Sequence, residues 1–170
     1  LGIYSGDKDA FNDKEVEILT ELADDLAFGI SALRSKDKKK QAEDALRDSE
    51  ERFSAVFRFS PIAIAIFRAD NGCIIDVNDV FINTSGYSRE ELIGRTTAEI
   101  DIYLNPTDRD IALQKLNEKG VVESFEFEIR NKAGEIRTVI SAITFIDIKG
   151  VKHYLALILD ITERKKSEES

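Results

Sequence analysis

The stretch "VVESFEFEIRNKAGEIRTVISAITFIDIKGVKHYLALILD", residues 121–160, constrains the fold more than any other part of the chain. Three strand-like runs follow one another with only short turns between them. "VVESFEFEIR" alternates, with Phe125, Phe127 and Ile129 on one face and Glu126 and Glu128 on the other. "EIRTVISAITFID" follows an Ala133-Gly134 turn, and "VKHYLALILD" follows a Lys149-Gly150 turn. The last two runs are apolar on both faces, so both faces need a cover. One face must meet short helices of the same domain; the other needs a linker helix or a partner chain.

Upstream of this block, "IAIAIFRADNGCIIDV" reads as two apolar strands around Asn71-Gly72, a strong two-residue turn signal. Short helices follow. "NDVFINTSG" is one. "SREELIG" is another, with Ser88 and Glu91 as a capping box and Gly94 at its end. "NPTDRDIALQKLNEKG" is a third, with Asn105 as cap, Pro106 in the first turn and Gly120 as the stop.

The N-terminal portion has a different character. "LGIYSGDKD" reads as a short strand and a turn; a lone strand is not stable, which implies a sheet outside this segment. Asn12 and Glu15 form a second capping-box pattern, with Phe11 and Val16 placed for a hydrophobic staple. Val16, Leu19, Ala23, Leu26, Ile30 and Leu33 then follow a three-four spacing like a coiled-coil seam. Leu22 and Ala27 widen that stripe. Residues 34–52 are helix formers without Gly or Pro and predict a continuous helical linker. Apolar positions resume at Ala42, Leu46, Phe53 and Val56, so the heptad phase breaks within the lysine-rich stretch.

Composition narrows the function classes. A net charge of -9 with no dominant basic face argues against nucleic acid, and Lys38-Lys39-Lys40 reads as a solvated helix face. One cysteine excludes an internal disulfide and suits a reducing, cytoplasmic compartment. No apolar run reaches the roughly 20 residues of a bilayer span, so no membrane association is expected of this piece. The lack of methionine predicts that it is part of a longer protein. Catalysis needs a nucleophile, base or metal arranged together. With His153 as the single histidine and no unexplained glycine loop, no catalytic residues are proposed from the sequence.

The order strand, strand, three short helices, three strands, helix, with "DVNDVF", "GYSREELIG", "NKAGEIR" and "DITERKK", resembles a PAS domain over roughly residues 50–166. The resemblance implies an α+β fold: a five-stranded antiparallel sheet with short helices on one face, preceded here by a long N-terminal helix. It also implies sensing and dimeric signal transfer upstream of a histidine kinase or a diguanylate cyclase. Residues 1–34 resemble the closing strand and helix of a GAF domain, truncated. The expected organisation is therefore 1–34 GAF tail, 35–52 linker, 53–163 PAS domain and 164–170 the start of an output helix.

Within the family the residues discriminate between uses. Flavin-binding light sensors carry a cysteine in a "GRNC"-like stretch; here that stretch is "GRTT", with Thr97 at the cysteine position. The positions matching their flavin-reading amides are Ile129, Thr138 and Ile158. Haem-binding members place a histidine on the long helix, and "TDRDIALQKL" has none. No cofactor and no metal are expected, while a small ligand is allowed. Cys73 reads as a small strand hydrophobe, and His153 falls on the outer face with Leu155, Leu157 and Leu159.

If a pocket exists, strand parity lines it with Phe125, Phe127, Ile129, Thr138, Ile140, Ala142, Tyr154, Ala156 and Ile158. Ile64 and Ile66, or their alternates Ala63 and Ala65, come from the first strand, and Phe81 and Tyr87 close it. The same wall also reads as a filled core, which is the preferred reading. Asp160 is expected to cap the exit helix with Glu163 at the capping-box position, and Thr162 to bond the local backbone; both are signal-relay candidates. The expected function is a sensory and dimerising module that relays a signal, from an upstream GAF domain or a ligand, to a C-terminal output domain. The alternative is a ligand-free dimerisation spacer. The expected homodimer uses the N-terminal helix and the outer sheet face.

Overall fold

The computed structural model describes residues 12–170. The strand expected at residues 1–5 and the staple at Phe11 lie outside the described residues. The chain divides into two units, the first ending at Arg52 and the second comprising Phe53–Ser170.

Helix α1 runs from Asp13 to Phe59 without interruption, passing straight through the lysine-rich stretch. Its start is fixed as the sequence expects. The Glu15 N–H donates to Asn12 Oδ1 at 3.0 Å, and the Asn12 N–H donates back to Glu15 at 2.8 Å. No residue of α1 is buried. Val16, Leu19, Leu26, Ile30 and Leu33 all remain exposed along it.

The second unit is an α+β domain in the element order strand, strand, three helices, three strands, helix. Strands β1 (Ala63–Arg68), β2 (Ile74–Val77), β3 (Val121–Arg130), β4 (Ile136–Ile148) and β5 (Val151–Asp160) form one five-stranded sheet in the order β2-β1-β5-β4-β3. Every neighbouring pair is antiparallel. Helices α2 (Asp79–Ser85), α3 (Arg89–Leu92) and α4 (Pro106–Lys119) connect β2 to β3, and α5 (Thr162–Glu169) leaves β5.

Local chemistry explains these elements. Ser88 and Glu91 make both bonds of a capping box at α3. The Asn105 side chain accepts from the Thr107 N–H at the start of α4, and Gly120 ends that helix in the left-handed region. Lys149 and Gly150 both have positive φ, 53° and 77°, in the two-residue link between Ile148 and Val151. That matches the tight hairpin turn whose twist suits the flanking strands. Asn78 caps α2 and is 2% exposed. Its Oδ1 accepts from the N–H groups of Phe81 and Ile64, and its amide donates to the Ile62 carbonyl. One side chain thus fastens a helix start to the beginning of β1.

The core lies between the sheet and the short helices. It includes Phe67, Ile74, Phe81, Leu92, Ala112, Leu116, Phe127, Val139 and Ile143. In β3 and β4, Phe127 stands opposite Val139 and Phe125 opposite Ser141. Directly opposed residues share a face. Odd-numbered β4 positions therefore share the helix-covered face with Phe127, and even-numbered ones point outward.

Candidate functional site

A cavity of about 50 Å³ remains within this core. The sheet contributes Ala63 and Phe67 from β1, Phe127 and Ile129 from β3, Ser141 and Ile143 from β4, and Tyr154, Ala156 and Ile158 from β5. The helical side contributes Phe81, Thr84, Ser85, Arg109, Ala112 and Leu113, and the loop before α4 adds Thr97, Ile102 and Tyr103.

Sequence parity brings Phe81, Phe127, Ile129, Tyr154, Ala156 and Ile158 to this wall, and from β1 it is the alternate, Ala63, that lines it. The placement differs for the rest. Ile64 and Ile66 lie on the outward face, because β1 pairs with β5 through Ala63–Ile158, Ala65–Ala156 and Phe67–Tyr154. Thr138, Ile140 and Ala142 also lie outward; the β3–β4 link aligns Arg130 with Ile136 and puts odd β4 residues inside. Tyr87 stands beside the cavity and donates its hydroxyl to the Ile100 carbonyl at 3.0 Å. Phe125 is half-buried and stacks on Phe127, with ring centres 5.7 Å apart, without reaching the wall.

The polar corner of the cavity is the part that sequence reading missed. Arg109, on the first turns of α4, donates from Nε to Thr97 Oγ1 at 3.1 Å. Its Nη1 lies 3.6 Å from Asp110, a largely exposed side chain. Burial pushes the Tyr103 phenol well above its ordinary pKa, and the nearby Arg109 charge offsets only part of that. Tyr154 is raised for the same reason. Both phenols therefore stay protonated and can donate. Gly72, at φ 71°, packs against the outer side of this corner: a Cβ there would stand 2.9 Å from Arg109 Nη2 and 3.8 Å from the Tyr154 hydroxyl, so a side chain would displace the guanidinium.

A second constellation sits where β5 becomes α5. The Thr162 N–H donates to Asp160 Oδ1 at 2.9 Å, and the Thr162 hydroxyl contacts the same oxygen. Arg137 on β4 donates to Asp160 Oδ2 at 3.2 Å. The Thr138 N–H donates to Thr162 Oγ1 at 3.0 Å, and the Ile161 N–H donates to the Thr138 carbonyl at 2.9 Å. Burial raises the Asp160 carboxyl, but the Thr162 and Arg137 hydrogen bonds outweigh it and hold the group below its ordinary range. The expected Glu163 capping box does not form. Ile161 occupies the cap position, Asp160 serves as an acceptor one residue earlier, and Glu163 pairs with Lys166. Thr162 reaches beyond its local backbone to β4. Lys165 also pairs with Glu126 on β3 at 2.7 Å.

His153 is buried on the outward face, with Nδ1 2.8 Å from the Val151 carbonyl. Among the described residues no group of three or more His, Cys, Asp or Glu side chains is placed to hold a metal, and no helix is long and apolar enough to cross a membrane.

Residues 61–163 match the family model described as "PAS domain". The chain belongs to the PAS domain family. A methyl sulfide methyltransferase-associated sensor of Methanosarcina acetivorans is 32% identical over 131 residues, which is 75% of this chain. The chain spans 13% of that relative's length. The PAS domain of an HTR-like protein from Haloarcula marismortui has the same fold with a TM-score of 0.59 and 29% identity, over 72% of this chain and 99% of that one. An RNA-binding Light-Oxygen-Voltage receptor shares the fold with a TM-score of 0.59 and 18% identity, over 70% of this chain and 34% of its own. The PAS fold and its sensory class are thereby shown.

Proposed function

We propose that this PAS domain is a relay: the state of its cavity sets the hold on α5, and α5 leads into a C-terminal output domain. One observation carries the reading. The Arg137–Asp160 pair lies one step beyond the cavity wall on two adjacent strands. Ile158, on the wall, precedes Asp160 by two residues on the same strand face, and Ile129, also on the wall, stands opposite Arg137. A shift of either wall residue is passed to the bonds that fix the exit helix. Asp160 and Thr162 are the relay residues, and a histidine kinase or a diguanylate cyclase is the output.

The same reading makes residues 1–34 the tail of a GAF domain, 35–52 a linker, 53–163 the PAS domain and 164–170 the start of the output helix. It also includes a homodimer formed through α1 and the outward sheet face. A 47-residue helix with no buried position and an exposed apolar seam supports this. So do Leu159 and Ile148, exposed on the outward face. Flavin and haem do not enter the proposal: the cavity has room for a few atoms, and Thr97 stands in its wall. A spectrum of the purified protein without visible absorbance is the expected result.

The test is hydrogen exchange in α5 for the wild type and for Ala156→Leu, whose larger side chain fills the cavity. The relay predicts altered α5 protection with the sheet intact; identical α5 exchange in both refutes it. Sedimentation at micromolar concentration should show a dimer, and a monomer there removes that part of the reading. The spacer alternative is favoured by the small size of the cavity, and it predicts dimerisation together with an α5 insensitive to Ala156→Leu.

A further inference from the structure

We infer that the cavity binds a small monocarboxylate of two or three carbons, its carboxylate held by Arg109 and the neighbouring Tyr103 and Tyr154 hydroxyls. This rests on the sensory reading above and names the class of ligand.

Size is the first constraint. A cavity of about 50 Å³ holds about four water-sized groups, which is the size of acetate or propionate. The small side chains of Ala63, Ala112, Ser141 and Ala156 make that room. Polarity is the second. Around a wall that is mostly apolar, one guanidinium and several hydroxyls converge. Among the described residues the hydroxyls of Tyr103, Tyr154 and Ser141 make no hydrogen bond to the protein, and none of the three oxygens is fully enclosed, because no buried side-chain nitrogen or oxygen lacks a partner. Each hydroxyl is therefore free to donate to a ligand oxygen in the cavity.

Orientation is the third. The Nε–Thr97 bond fixes the plane of the Arg109 guanidinium at the wall. Arginine presents its donors as a planar fork that matches a carboxylate. Nη1 is turned toward Asp110, while Nη2 lies against Gly72 close to the Tyr154 hydroxyl, where a side chain would crowd it. Charge is the fourth. Asp101 and Asp110 line the adjoining cleft with Arg109, Tyr103 and Thr97. A second negative charge on the ligand would meet these carboxylates, so the site favours one carboxylate and an apolar tail. The tail faces Ile129, Ile143 and Ala156.

The test is a titration of the full chain with sodium propionate, reading backbone amide shifts of the wall residues. Sodium chloride at equal ionic strength, propionamide, succinate and 1-propanol are the comparators. Propionate should bind saturably and chloride should not; propionamide and succinate should bind about tenfold more weakly or worse. Arg109→Gln should weaken propionate binding by about tenfold or more, with the circular dichroism spectrum unchanged. Tyr154→Phe, which removes only a hydroxyl, is the second variant and should also weaken it. Equal binding of propionate and propionamide, or wild-type affinity in Arg109→Gln and Tyr154→Phe, overturns the assignment. If 1-propanol shifts the wall and alters α5 exchange while propionate does neither, the ligand class is wrong and the relay stands. If propionate binds as described and α5 exchange is unchanged, the ligand class stands and the relay is wrong.

Discussion

Replacing Asp160 by Ala tests how tightly the exit helix is held, and its effect can be worked from the bonds described. The carboxylate accepts from the Thr162 N–H, from the Thr162 hydroxyl and from Arg137. Losing an acceptor at a helix start costs about 1 kcal/mol. The Arg137 bond joins two partly exposed side chains and adds about 0.2–1 kcal/mol. The expected total is about 1–2 kcal/mol, a factor of roughly 5–30 in a local equilibrium. Because α5 has eight residues and none is buried, it cannot hold itself as an isolated helix. The loss should therefore appear in α5 first. Amide exchange by NMR should show α5 protection falling about tenfold while the central sheet amides keep most of theirs. Asp160→Asn keeps an oxygen for the Thr162 N–H and loses the charge, so it should restore about half of the difference in free energy. Equal α5 protection in the wild type and Asp160→Ala would refute the reasoning. So would a loss that begins in the sheet.

Three further outcomes are expected. Asn78→Ala removes three hydrogen bonds at once, two of them buried, and should lower stability by about 2–3 kcal/mol in urea unfolding, leaving the Ile64 and Phe81 N–H groups without that acceptor. Acid should act through Asp160. Its folded carboxyl lies below the unfolded value, so its contribution is complete above about pH 4 and is lost as pH falls through the folded value; Asp160→Asn should flatten that part of the urea stability profile. Lys149→Asn should stabilise the protein by about 0.5–1 kcal/mol in thermal unfolding, because Lys149 occupies a positive φ of 53° that asparagine tolerates better.

The parts of the fold that were legible in sequence are those where local chemistry decides. Asn12, Ser88 and Asn105 each mark the helix start they make, and Phe125, Phe127 and Ile129 alternate against glutamates, so β3 declares its inner face. The inner faces of β1 and β4 were not legible for a physical reason. Ala63, Ile64, Ala65, Ile66 and Phe67 are all buried, and β4 carries apolar residues on both sides, so the pattern has no parity. The link between Arg130 and Ile136 sets the β4 register against β3, and a one-residue change there would exchange Ser141 and Ile143 for Ile140 and Ala142. Arg109 was hidden differently. In "TDRDIALQKL" it reads as one more solvated charge, and only the packing of α4 over the sheet brings it to Thr97, Tyr103 and Tyr154. The Arg137 and Thr138 bonds to the junction likewise span more than twenty residues of sequence.

The strand order β2-β1-β5-β4-β3 has a consequence for synthesis. The strand translated last is the one that stands in the middle of the sheet, between two hairpins made earlier. Ala63 meets its partner Ile158 only after the whole domain between them has left the ribosome. Until then the β1–β2 and β3–β4 hairpins present two separate edges, β1 and β4, with nothing to join them. Closure of the sheet is thus the final folding event, rich in contacts distant along the chain and correspondingly slow. The segment emerging directly behind it is the exit helix. A nascent chain stalled just before Val151 should be protease-sensitive throughout the second unit, and one stalled well past Glu169 resistant.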